Sequence, residues 1–114
     1  MGIIVYRWQD ENGRGPYKPG FSHVWTDPDH NIRNPSIMEE FGMKLWSRIP
    51  NEYKHRGCAF QSLDQMNKWF SAEEQEKLRN HNYTLVTIDA DRIIAMSKRQ
   101  CVIACRKPFI EKVA

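Results

Sequence analysis

Three groups in this chain have the chemistry of nucleotide recognition. Arg7 sits at the end of the first apolar run, Ile3-Ile4-Val5-Tyr6, just before Trp8. A guanidinium there offers fixed, forked donors for phosphate or carboxylate, or it snorkels out at the strand end. Phe60 and Ser62 stand where the short stretch Cys58-Ala59-Phe60 turns into a helix. They supply a ring face and a hydroxyl. Gln100 opens the last apolar run, Cys101-Val102-Ile103-Ala104-Cys105, and its uncharged amide suits a pair of ribose hydroxyls. All three lie at ends of expected strands, where loops and ligands of such sheets gather.

Other constellations carry less. His23, His30, His55 and Cys58 match no paired-ligand zinc spacing, so no metal site is expected. Nothing local activates Cys58 as a nucleophile beside His55 or His23, and it is expected to pack. Asp89 and Asp91 end a strand, where aspartates usually form turns.

The elements that must position these groups follow from the pattern. Residues 2–8 read as a strand. Residues 9–35 hold Gly13, Gly15, Gly20, Pro16, Pro19, Pro28 and Pro35, and read as an ordered loop that Tyr17, Phe21, His23, Trp25 and His30 fold over a site. Asn34-Pro35-Ser36 opens a helix carrying Ile37, Phe41, Leu45 and Ile49, which Pro50 ends. Arg56 to Phe70 reads as a short strand passing into a helix capped by Ser62, with Gln65 completing a capping box. Ser71 caps a short polar helix over residues 72–80. Strands are expected at residues 83–90 and 100–106, and residues 91–96 are either a helical turn or a strand. Late strands adjacent in sequence favour antiparallel pairing. The fold class is α+β, a small and mostly antiparallel sheet with packed helices, in one domain spanning residues 1–114.

Composition bounds the setting. A 40% hydrophobic, 27% charged chain is ordinary for a globular domain. No run is long enough to cross a membrane, and the first residues carry no secretion pattern, so the cytoplasm is expected. Three cysteines without a signal argue against a disulfide framework. The net charge is +3, clustered at Lys54-His55-Arg56, Lys98-Arg99 and Arg106-Lys107. These clusters either contact phosphates or form a solvated rim.

The order of elements and motifs resembles the ADP-ribosyltransferase fold in its small, divergent, bacterial or phage-associated forms. The resemblance rests on Tyr6-Arg7 at the end of the first strand, Gly57-Cys58-Ala59-Phe60-Gln61-Ser62 before a helix ending Trp69-Phe70, and Arg99-Gln100-Cys101-Val102-Ile103-Ala104 at the last strand. It implies NAD as substrate, with Arg7 and Gln100 as the catalytic pair and Arg7, Tyr17, Phe60 and Ser62 as the binding set. Arg7 would hold the diphosphate or ribose and Ser62 would support Arg7 or the ribose. Phe60 and Tyr17 would frame the nicotinamide, Gln100 would sit by its ribose, and the loop over residues 9–35 would be the lid. The family uses Glu where this chain has Gln100, which carries no charge to offset the oxocarbenium-like cation. Either the protein binds NAD and transfers poorly, or Asp64 or Glu11 assists, or the fold serves binding alone. A transferase implies a macromolecular acceptor. The alternative is a small non-enzymatic interaction protein, such as a phage or mobile-element inhibitor of a host protein. A third reading is nucleic-acid binding through Lys54, Arg56, Lys98, Arg99, Arg106 and Lys107, with steep salt dependence.

Overall fold

β-Branched and aromatic residues fill the first run, and it forms strand β1 (Ile3–Gln9). The structure is a computed structural model and describes residues 3–109 and 111–113. The Gly- and Pro-rich segment after β1 is ordered by two single-turn helices, α1 (Ser22–Trp25) and α2 (His30–Arg33). Trp25 is fully buried and donates its indole N–H to the carbonyl of Pro16 at 3.0 Å, which fastens the segment to itself.

The helix expected from Ile37, Phe41, Leu45 and Ile49 is shorter than its repeat. Helix α3 (Ile37–Phe41) begins with a Ser36–Glu39 capping box and stops at Gly42. Gly42 sits at φ 91°, in the left-handed region that ends helices, and a 3-10 turn over Trp46–Arg48 replaces the second half. Only Leu45 and Ile49 of the four repeat residues reach the core.

The strand-to-helix passage is as expected. Strand β2 (His55–Ala59) leads through Phe60 to helix α4 (Leu63–Trp69), and Ser62 accepts the backbone N–H of Gln65. Gln65 does not close the box on Ser62; its side-chain oxygen accepts the N–H of Gln61. Helix α5 (Ala72–Asn80) begins with a complete Ser71–Glu74 box. Strands β3 (Thr84–Ala90), β4 (Arg92–Met96), β5 (Cys101–Cys105) and β6 (Glu111–Val113) follow, so residues 92–96 are a strand.

The fold is α+β, and its strands divide into two antiparallel three-stranded sheets, β1-β3-β6 and β2-β5-β4. Among the described residues they meet at a single bridge, where Tyr6 and Phe60 exchange backbone hydrogen bonds of 2.7 and 2.8 Å. Both sheets contribute to one core of Val5, Ala59, Val86, Ile88, Ala90, Cys101, Ile103 and Cys105. The helices bury a second, aromatic core of Trp8, Trp25, Phe60, Met66, Trp69, Phe70, Leu78 and Tyr83. Among the described residues, no helix is long and apolar enough to cross a membrane.

Candidate functional site

Arg7 lies within β1, two residues before its end, and it is 7% exposed. A cation in such a place needs acceptors. Its Nε donates to Gln9 Oε1 at 3.1 Å, one Nη to the carbonyl of Cys58 at 2.7 Å, and the other to the carbonyl of Gly13 at 3.3 Å. Each terminal nitrogen keeps one hydrogen without an acceptor among the described residues. The Phe109 ring covers the guanidinium, 4.9 Å from ring centre to Cζ. Burial pulls the Arg7 pKa below its ordinary value, but a guanidinium so far above neutrality stays charged.

Two glycines make room for that side chain. A Cβ on Gly57 would stand 2.6 Å from an Arg7 terminal nitrogen, and one on Gly15 would stand 3.2 Å from the other. Gly57→Ala is therefore expected to push the guanidinium off the Cys58 carbonyl and to destabilise the fold by about 1–3 kcal/mol. Thermal melting measures the loss; an unchanged midpoint would show that Arg7 moves freely.

Arg7 and Gln100 meet at Cys58. The Cys58 carbonyl accepts from Arg7, and its thiol donates to Gln100 Oε1 at 3.0 Å. Burial pushes that thiol up to about 12, so it is a donor and not a thiolate. Gln100 itself is 1% exposed and uses its amide N–H groups on the Pro35 carbonyl at 3.3 Å and Glu40 Oε1 at 3.0 Å. Glu40 also accepts from the Ser97 hydroxyl at 2.7 Å. A carboxylate thus stands directly beside the Gln100 amide.

Two cavities flank this junction. The larger, about 950 Å³, is walled by Arg7, Trp8, Tyr17, Phe60 and Phe70 and rimmed by Arg14, Lys18, Lys54 and Arg56. Glu11 is the one carboxylate among the described residues of its lining. The smaller, about 410 Å³, is lined by Gln100, His30, Trp69 and Trp46 among others. Tyr17, Ile37 and Cys58 belong to both. Of the residues marked by the sequence, Arg7, Tyr17 and Phe60 share the larger cavity, and Gln100 lies behind Cys58 in the smaller. Ser62 is in neither lining; it is exposed and caps α4. Asp64 pairs with Lys68 in solvent, away from both.

Sequence spacing did not reveal the network around Tyr17. Its hydroxyl lies 2.6 Å from His30 Nε2 and accepts the Trp69 indole N–H at 2.7 Å. His30 Nδ1 lies 2.7 Å from Glu74 Oε2. His30 and Glu74 are 1% and 0% exposed. Glu74 further accepts from the backbone N–H groups of Asp27 and Ser71 and from Arg33. The one signal available in the sequence was the Ser71–Glu74 box. Among the described residues, no group of three or more His, Cys, Asp or Glu could hold a metal ion.

No curated protein and no solved structure matches the chain. The family model of the bacteriophage T4 Y00F protein matches residues 1–111, nearly the whole length. The chain belongs to the bacteriophage T4 Y00F protein family and is a phage-associated small protein.

Proposed function

We propose that the larger cavity binds a pyridine dinucleotide of the NAD type, and that the protein is ADP-ribosyltransferase-like. The carrying observation is the charge and shape of the cleft. Arg7, Arg14, Lys54 and Arg56 line it, with Lys18 held by Asp10 at 3.1 Å, and Glu11 is the one carboxylate among the described lining residues, while Trp8, Tyr17, Phe60 and Phe70 supply aromatic walls. Such a lining suits a diphosphate between two ring systems. Arg7 is preset for the phosphate, because three protein oxygens fix its plane and its remaining hydrogens are uncommitted. Gln100 acts on this cleft through Cys58, as a positioning group for the strand that carries the Arg7 acceptor. A carboxylate to balance the oxocarbenium-like charge would come from Glu11, or from Glu40 across Gln100.

Calorimetry with NAD tests this reading. Binding is expected for the intact chain. Arg7→Met is expected to lose about 1.5–3 kcal/mol of it, a ten- to hundredfold weakening, with folding checked by circular dichroism. Lys54→Gln, at an exposed rim position, is expected to weaken binding severalfold without touching the core. No binding at millimolar NAD by the folded protein would end the proposal.

A second reading has its own observation. No residue of α3 is buried, and Ile32, Met38 and Met43 are 87%, 53% and 80% exposed. Exposed apolar side chains on α2, on α3 and just after it suit a macromolecular partner, for instance a host protein that the chain inhibits. Capture of one stoichiometric partner from bacterial lysate, surviving Arg7→Ala and Gln100→Ala, would favour it over the enzyme.

A further inference from the structure

We propose that Tyr17 is a reacting nucleophile, with His30 as its base and Glu74 as the group that orients the base. The three form one line of hydrogen bonds: phenol to imidazole at 2.6 Å, and imidazole to carboxylate at 2.7 Å. The Glu74 carboxylate is acceptor-only, so the His30 nitrogen facing it, Nδ1, carries the proton. Nε2 then presents its lone pair to the Tyr17 hydroxyl, which donates. This is the logic of an activated nucleophile: a base within reach, fixed by a third group.

The other side of the phenol fits as well. The Trp69 indole N–H donates to the Tyr17 oxygen at 2.7 Å, where charge would develop as the proton leaves. A tyrosine serving only to fasten the loop would need one of these partners. The Tyr17 side chain is 43% exposed overall and borders both cavities, but burial of its hydroxyl pushes the phenol pKa up, so the oxygen becomes a nucleophile only as its proton passes to His30. Burial holds His30 below its ordinary pKa, against the pull of Glu74, so it is a neutral base at neutral pH. The titratable and charged groups facing it are Tyr17 from the loop, Glu74 from α5, Arg33 from its own helix and Asp27 just before it.

The natural electrophile rests on the dinucleotide reading above. It is the anomeric carbon of the nicotinamide ribose. The Tyr17 oxygen–carbon bond forms as the carbon–nitrogen bond to nicotinamide breaks. Nicotinamide leaves neutral with the electron pair, and the phenol proton passes to His30 beside Glu74. The chain is left carrying ADP-ribose on Tyr17.

Two probes test this on the full chain. The first, phenylmethanesulfonyl fluoride, contains no nucleotide; the oxygen–sulfur bond forms, fluoride leaves and the proton goes to His30. Peptide mass mapping is expected to find Tyr17 labelled at least tenfold faster than Tyr6, Tyr53 and Tyr83. Its rate should rise with pH through the imidazole range and not near the ordinary phenol value of about 10. His30→Gln should slow it at least tenfold; should that variant not fold, the selectivity and pH profile of the intact chain decide alone. Even labelling of the four tyrosines, or a rate that follows phenol ionisation, overturns the nucleophile. The second probe is NAD, read by intact mass and calorimetry together. One ADP-ribose mapped to Tyr17 supports the full step. NAD bound with no adduct on Tyr17 overturns that step and leaves the dinucleotide reading standing. No NAD binding overturns the dinucleotide reading, and the first probe still decides the nucleophile.

Discussion

Glu74→Gln is expected to lower the stability of this protein by roughly 3–5 kcal/mol, because two buried donors that the carboxylate accepts would face amide hydrogens. The carboxylate is fully buried and takes four donors. One oxygen accepts from the Ser71 N–H at 2.8 Å and Arg33 at 3.3 Å, the other from the Asp27 N–H at 2.9 Å and His30 at 2.7 Å. A glutamine keeps one acceptor oxygen and turns its amide hydrogens on two of these donors. Arg33 keeps Asp29 at 3.1 Å and Asp27 at 3.9 Å. A domain of this size has about 5–15 kcal/mol in total, so the loss is a large share. With about 4 °C per kcal/mol, the melting midpoint should fall by roughly 12–20 °C. Glu73→Gln, one residue away and exposed, is the control and should shift stability by no more than about 0.5 kcal/mol. Equal shifts in the two variants would show that Glu74 matters only as a helix-start charge.

Gln100→Glu is expected to destabilise the protein at neutral pH and to recover in acid. The new carboxylate would replace the amide that donates to Glu40 at 3.0 Å and to the Pro35 carbonyl, in a site only 1% exposed. Burial and the Glu40 charge would both raise its folded pKa above the unfolded value of about 4.3. A raised folded value means that the native state binds the extra proton. Stability is then full below the unfolded pKa and is lost as pH rises towards the folded one. A shift of about two units gives roughly 3 kcal/mol lost at pH 7 and little at pH 4. Protonated, the side chain regains a donor for Glu40. Thermal melts of both proteins from pH 4 to pH 8 measure it. A constant difference across that range would show that Glu40 relaxes away. The same variant tests the transferase reading, because it supplies the acid that the resemblance lacks.

Local patterns made much of the fold legible. The apolar runs of β1, β3 and β5 and the Ser62 and Ser71 caps are written in adjacent residues, and they appear where expected. Arg7 stood out because a cation in an apolar strand needs a reason. The helix over residues 36–49 misled because a four-residue repeat ignores one backbone angle, that of Gly42. Gly57 has no side chain to read, and its use is space for Arg7. Cys58 read as packing, yet it joins Arg7 to Gln100 with its main chain on one side and its thiol on the other. The Tyr17–His30–Glu74 line was hidden because its members come from a loop, a single-turn helix and a distant helix. Periodicity is silent on that kind of contact.

The pairing of β1 has a consequence during synthesis. Gln9 pairs with Thr84 and Ile3 with Ala90, so the first strand made waits for one of the later strands. At about 5–20 residues per second, the ribosome leaves β1 without its ladder for several seconds. Its earliest backbone pairing is the Phe60 bridge, two hydrogen bonds long. In the interval an apolar strand edge is open to other chains. The nascent protein is thus most exposed to mispairing between the emergence of its first strand and its third.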